Sequence, residues 1–247
     1  MRIVFVRHGE PDYANDCLTE RGRAQALAAA ERLREENISR IWSSPLGRAA
    51  ETAAAASQVL GLPVQTLDFM REVSWGSRDG TPLYAGGHPW DTADKLAREG
   101  ICLNDPGWRE HPYFRSNTVL DCVSEVEEGT DEWLRGLGYR REGNYYRCVR
   151  RDSTQETVAL FSHGGSSCAA IGHILNLPFP YACALLHLEF TGITVLRFDR
   201  RPGSKALPCL ELANDSRHIR EADGHRLIAP AKGDKMSLGK TDHEPKG

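Results

Sequence analysis

Arg7, His8, Gly9 and Glu10 follow at once on the apolar run Ile3-Val4-Phe5-Val6, so a guanidinium and an imidazole stand at the end of a short strand. Ser162-His163-Gly164-Gly165 repeats that arrangement late in the chain, with glycines opening the next segment. Backbone N–H groups at such a helix start favour an anion. Between them, Ser43-Ser44-Pro45-Leu46-Gly47-Arg48 puts a second guanidinium in the first turn of a helix whose Leu46, Ala49, Ala53, Ala56 and Leu60 recur at three- and four-residue steps. Were these segments to end at one edge of one sheet, two arginines and two histidines would converge. Such a cluster repels itself unless an anion sits within it, and a tetrahedral phosphate is the natural guest. Taken singly, each side chain reads more simply as a surface charge or a core histidine. Their shared place after a strand is what favours the anion site.

The elements that must position them alternate. Residues 2–6 read as a buried strand, Thr19 to about Glu36 as a helix with Thr19 as N-cap, and Ile38 to Trp42 as a second strand. The helix from Pro45 ends at Gly61, and Val64 to Leu67 and residues 156–161 are further strands. Gly165 to Leu175 is a helix stopped by Asn176 and Pro178, and two late runs, 193–198 and 209–213, close the sheet. The expected class is α/β: a three-layer sandwich with a mainly parallel central sheet, helices on both faces and an inserted cap region. Ligand sites in such sheets lie beyond the carboxyl ends of the strands. The insertion, about 81–152, carries one predicted helix (about Thr118–Leu137) and a hairpin, Tyr139–Arg150, turning at Glu142-Gly143-Asn144. The reading is a single domain over 1–220 with a mobile tail at 221–247, where periodicity is lost.

Several of these segments resemble the histidine phosphatase superfamily, the phosphoglycerate-mutase-like fold, and in particular its phosphatase branch. The resemblance rests on Arg7-His8-Gly9-Glu10, Leu18-Thr19-Glu20-Arg21-Gly22 with Gln25-Ala26, Ser44-Pro45 with Arg48 and Thr52-Ala53, Arg71-Glu72 with Gly76 and Gly80, and Ser162-His163-Gly164-Gly165. It covers about 1–80 and 155–218, where Asn214-Asp215 and His218 also match. The resemblance implies that His8 is the nucleophile and becomes a phosphohistidine. Arg7, Arg48, His163 and the start of the helix at Gly164 would hold the phosphoryl oxygens, and Glu72 would protonate the leaving oxygen and later activate water. It implies no cofactor and no metal. Read from the residues alone, Glu72 could equally belong to a surface network with Arg71, Arg78 and Asp79, and Glu10 and Asp12 are further carboxyl candidates. Pro11, Asp12 and Tyr13 depart from the family's pattern, and Asn15 lies one residue beyond its usual asparagine. Glu10, Asp12, Tyr13 and Asn15 are the substrate-loop candidates.

The expected function is that of a phosphomonoesterase acting on a small phosphorylated metabolite. A phosphoglycerate-type mutase is the second reading, and a phosphate-binding or scaffold protein without activity the third. The connection from His8 to Thr19 is short, whereas the resemblance implies a longer one in mutases. Gly164-Gly165-Ser166-Ser167-Cys168 lacks the last glycine of a nucleophile elbow, which excludes a serine hydrolase. The remaining histidines show no metal-ligand spacing and read as structural or surface groups. Trp90, Trp108, Tyr113, Phe114, Tyr145, Tyr146 and the arginines of the hairpin are expected to grip the substrate beyond its phosphate, or else to pack the insertion's own core.

Composition sets the remaining bounds. Thirty-one Lys and Arg against 34 Asp and Glu leave a net charge of −3, which gives no sign of nucleic-acid or membrane partners. The 7 cysteines are scattered, odd in number and free of C-x-x-C pairs. With a first apolar run too short for a signal sequence, they point to reduced thiols and a cytoplasmic protein.

Overall fold

A computed structural model describes residues 1–150, 156–198 and 201–219. In chain order its main elements are β1 (Arg2–Arg7), the short pair β2 (Pro11–Asp12) and β3 (Cys17–Leu18), α1 (Glu20–Leu33), β4 (Ile38–Ser43), α2 (Gly47–Leu60) and β5 (Val64–Thr66). The insertion holds α3 (Pro89–Arg98), α4 (Val119–Gly136) and the hairpin β6 (Tyr139–Glu142) and β7 (Tyr145–Cys148). Then come β8 (Thr157–Ser162), α5 (Gly164–Leu175), α6 (Phe179–Leu185), β9 (Ile193–Arg197), β10 (Lys205–Ala206) and β11 (Cys209–Asp215).

Ile3, Val4, Phe5 and Val6 are all sealed from solvent, as a strand covered on both faces requires. The central sheet runs β11-β9-β1-β8-β4-β5. β1 and β4 lie parallel to β8 on either side, with Arg7 opposite Ser162 and Ser43 opposite Phe161, so three strands end level at one edge. β9 runs antiparallel to β1, and β11 pairs antiparallel with β9, which makes the sheet mixed with a parallel majority. On one face Val4, Val6 and Ile41 meet Ala30 and Leu33 of α1 and Ala53 and Ala56 of α2. On the other, Ile3, Phe5 and Leu160 meet Ile171 and Ile174 of α5 and Val123 and Leu134 of α4.

The insertion contributes Ala93, Leu96, Trp108 and Phe114 to that second core, so it is not a separate layer. Two helices were not foreseen. α3 starts on Pro89 after His88, whose ring nitrogen accepts from the Asp91 N–H, and α6 begins directly after Pro178, which caps it instead of ending structure. The hairpin also lies elsewhere than expected. α4's 18 residues span about 27 Å and carry the chain from the carboxyl edge of the sheet to the opposite one. There Tyr139 and Tyr146 pack on Phe198, and Arg141 donates to the His173 carbonyl and Asn176 Oδ1 at the C-terminus of α5. The expectation that the hairpin arginines and Tyr145 or Tyr146 face the substrate is therefore overturned: they stand at the strands' amino ends, about 20 Å from Arg7 across the length of β1. The proposed tail at 221–247 and the last residues of the insertion lie outside the described residues.

Arg141→Ala should remove the side-chain cap on the last carbonyls of α5 and cost about 1–2 kcal/mol of stability. Denaturant unfolding monitored beside NMR checks this. The midpoint should fall while the imidazole resonances of His8 and His163, at the other edge, stay in place; shifted resonances would tie the hairpin to the histidine cluster.

Candidate active site

The level ends of β1, β4 and β8 bring the expected residues together. The His8 N–H donates to the Ser162 carbonyl at 2.9 Å, extending the ladder one step past β1, and the rings of His8 and His163 lie 5.1 Å apart. Both histidines are buried. His8 Nδ1 sits 2.7 Å from the Gly9 carbonyl, which can only accept, so Nδ1 carries the proton and the free lone pair is on Nε2. His163 Nε2 lies 2.7 Å from Ser44 Oγ, contributed by the end of β4. Burial and the Arg7 guanidinium, then Arg48, push the His8 pKa down to about 3. Burial, with His8 and both arginines, lowers that of His163 further.

Arg7 donates from Nη1 to the Leu188 carbonyl at 2.6 Å and lies 4.4 Å above the Phe190 ring. Arg48, buried in the first turn of α2, pairs with Asp16 at 2.5 Å. Arg7 Nε, Arg48 Nε and His163 Nδ1 are buried without a protein hydrogen-bond partner. Each such nitrogen costs about 1–3 kcal/mol unless something accepts from it or, for the imidazole, donates to it. Among the described residues no three His, Cys, Asp or Glu side chains gather in a metal-holding group.

Glu72 does not join a surface network. Its Oε1 accepts from the N–H groups of Val73 (3.0 Å), Gly165 (2.9 Å) and Ser166 (3.1 Å), bridging to the N-terminus of α5 just behind Gly164. A side chain on Gly165 would collide with Val73 and crowd Glu72, so the approach needs glycine. Arg71 and Arg78 turn away to Asp68 and Asp121. Burial raises the Glu72 pKa, against the pull of Arg7 and the amide donors.

The substrate-loop candidates fare unevenly. Glu10 Oε1 accepts from the Thr19 hydroxyl at 2.9 Å, and Thr19 caps α1, so this carboxylate serves the helix start. Asp12 closes a turn on the N–H groups of Ala14 and Asn15, and the Asn15 amide donates to Asp12 Oδ2 at 2.7 Å rather than entering the cluster of histidines and arginines. Tyr13 is 58% exposed beside Arg48, whose guanidinium lies 5.5 Å from its ring. Asp16, which sequence reasoning missed, holds both Arg48 and the Gly47 N–H from a left-handed φ of 48°. Such a backbone angle is uncommon outside glycine and could not be read from residue type. Also missed was the segment 187–192. Thr191 donates its N–H to the Arg7 carbonyl and its hydroxyl lies 3.0 Å from His218 Nε2, while Asn214 holds the Glu189 N–H and His187 carbonyl. Gly9 and Gly22 pass backbone to backbone, where a Cβ on Gly22 would strike the Glu10 carbonyl.

Comparison with known proteins agrees with this geometry. A family model described as histidine phosphatase superfamily (branch 1) matches residues 3–207. A "Probable phosphoglycerate mutase" of Yersinia enterocolitica is 24% identical over 228 residues, 89% of this chain and 95% of that protein. The mycobacterial glucosyl-3-phosphoglycerate phosphatase in complex with inorganic phosphate shares 27% identity at a TM-score of 0.59, covering 88% of this chain and 99% of that one. Phosphoserine phosphatase from Entamoeba histolytica, in complex with 3-phosphoglyceric acid, has the same fold at 23% identity and a TM-score of 0.56, covering 88% and 98%.

Because the folded His8 pKa lies near 3 and the unfolded one near 6.5, the unfolded chain takes up the proton first as pH falls. The stability tied to neutral His8 is whole above about pH 6.5 and declines below it by up to about 1.4 kcal/mol per pH unit. His8→Gln, compared with the native protein by urea unfolding in phosphate-free buffer, should remove about one proton from that slope between pH 4 and 6. An unchanged slope would show that His8 is protonated in the fold.

Proposed function

The chain belongs to the histidine phosphatase superfamily (branch 1), and from that membership we propose a phosphomonoesterase that acts on a small phosphorylated metabolite through a phosphohistidine at His8. The observation that carries the reading is the buried histidine pair set between Arg7 and Arg48, with three nitrogens that a phosphate group would partner. His8 Nε2 attacks phosphorus as the ester P–O bond breaks. Arg7, Arg48, His163 and the Gly164 N–H hold the phosphoryl oxygens. Glu72 Oε1 is taken up by three amides, so Oε2 carries the proton and gives it to the departing oxygen; its raised pKa suits that role. Water then attacks the phosphohistidine, Glu72 recovers a proton from it, the N–P bond breaks and inorganic phosphate leaves. Two guanidiniums and a helix N-terminus supply the charge neutralisation for which other phosphoryl-transfer enzymes use Mg²⁺, so the proposal includes no metal.

Phosphatases among the structural neighbours support hydrolysis as the outcome. The mutase reading is kept by the Yersinia relative, and it differs only in returning the phosphoryl group to a hydroxyl of the substrate. The shared core of insertion and sheet supports a single domain over 1–220. Seven free thiols support a cytoplasmic protein, and among the described residues no single helix is long and apolar enough to cross a membrane.

Rapid quench with a ³²P-labelled ester, in excess chelator, should trap an acid-labile, base-stable phosphoenzyme that His8→Ala abolishes. Label that persists in the variant, or turnover that vanishes until a divalent metal is restored, would overturn the mechanism. Glu72→Gln should slow alkyl esters by about 10²-fold or more and aryl esters far less, since only the former need a proton on the leaving oxygen. Equal losses across a leaving-group series would make Glu72 a structural bridge to α5.

A further inference from the structure

A row of aromatic rings begins beside the Glu72 carboxylate. Gly165 separates the Glu72 carboxylate from the Trp90 indole: a Cβ there would lie 2.7 Å from Glu72 Oε1 and 3.4 Å from Trp90 Cη2. On Gly164 it would lie 3.6 Å from Trp90 Cζ2 and 3.8 Å from the Arg7 guanidinium carbon. The Trp90 ring thus flanks both the Glu72 carboxylate and the Arg7 guanidinium across the two glycines. Trp90 is one member of a row. Its ring lies 5.4 Å from that of His88, which meets Trp75 edge-on at 4.9 Å and 77°. Trp75 remains 40% exposed, and His88 and Trp90 are half-buried. Trp108, by contrast, is buried against Phe114 and Phe179 as an ordinary core residue.

The row is built in advance. Asn117, fully buried, accepts from the Gly76 and Val119 N–H groups and donates to the Gly87 carbonyl, fixing the segments that carry Trp75 and His88 to the start of α4. Its charge environment is as informative as its shape. The cations nearest in sequence, Arg71 and Arg78, are paired with Asp68 and Asp121, and His88 Nδ1 accepts from the Asp91 N–H. A leaving group bearing a carboxylate gains no counter-charge from these residues, whereas a flat ring gains indole surface on departure from water.

We propose that Trp75, His88 and Trp90 form a leaving-group subsite for a planar aromatic ring, so that preferred substrates are phosphate monoesters of ring-bearing alcohols. The proposal rests on the phosphomonoesterase reading above and deepens it. 2-Phenylethyl phosphate and n-butyl phosphate release alcohols of similar acidity, so their chemistry is matched and the ring is the variable. The protein should favour the phenyl ester in kcat/KM by about fivefold or more, mainly through KM. Trp90→Leu and, independently, the exposed Trp75→Leu should each shrink that preference towards parity. Equal kcat/KM for the two esters, or a preference that survives both substitutions, would overturn the subsite. Titration with 2-phenylethylphosphonate and n-butylphosphonate, followed by calorimetry, reads the same preference without turnover. Tighter binding of the phenyl compound with neither ester hydrolysed would retain the subsite and overturn the phosphomonoesterase reading; equal binding would overturn the subsite alone.

Discussion

A neutral imidazole held between two guanidiniums is the constraint on which the rest depends. His8 can lie beside Arg7 and Arg48 only because burial and their positive charge keep it unprotonated, and only a neutral ring has a lone pair to offer. The same charges make the cluster costly to assemble. The protein offsets part of that cost with Asp16 on Arg48, the Leu188 carbonyl on Arg7 and Ser44 on His163, while leaving one nitrogen of each of these three residues for an anion. Stability and readiness to accept an anion are thereby opposed at one place.

Support for the cluster comes from elements with no direct part in it. Thr52 accepts from the Gly9 N–H and donates to the Arg48 carbonyl, so α2 grips the end of β1 with the hydroxyl that also bends back on its own first turn. The antiparallel strands β9 and β11 return the chain so that Thr191 meets the Arg7 carbonyl and Asn214 pins the loop that presents Leu188 and Phe190. His218 adds its ring to Thr191 and is itself kept from protonating, chiefly by burial, with its pKa pushed down to about 4.

Arg7, His8, Arg48 and His163 were legible in the sequence because each follows a strand of recognisable period, and strands of one parallel sheet end together. Glu72 was legible by resemblance, but its bond to α5 was not, since it joins residues 93 positions apart. Asn15 stands apart from the cluster because the turn at Asp12 takes its amide, while Asp16, which spacing did not single out, takes the place next to Arg48. The hairpin was correctly drawn and wrongly placed. Periodicity predicts a hairpin's strands but not which edge of a sheet a long helix will carry it to. The prolines that open α3 and precede α6 hid both helices, because proline marks a start as readily as a stop.

The backbone crossing of Gly9 and Gly22 has a bearing on how substitution data for this fold are to be interpreted. Gly22 lies in the first turn of α1, its amide bonded to Thr19 and its Cα too near the Glu10 carbonyl to carry any side chain. Every replacement there would push α1 away from the end of β1 and misalign His8. In a saturation survey scored by turnover, Gly22 would thus rank with the proposed nucleophile, His8, although it has no proton to move and no charge to offer. Intolerance in such a survey marks the residues whose volume sets the position of the chemistry as well as those that perform it, and only a separate measure of folding tells the two apart.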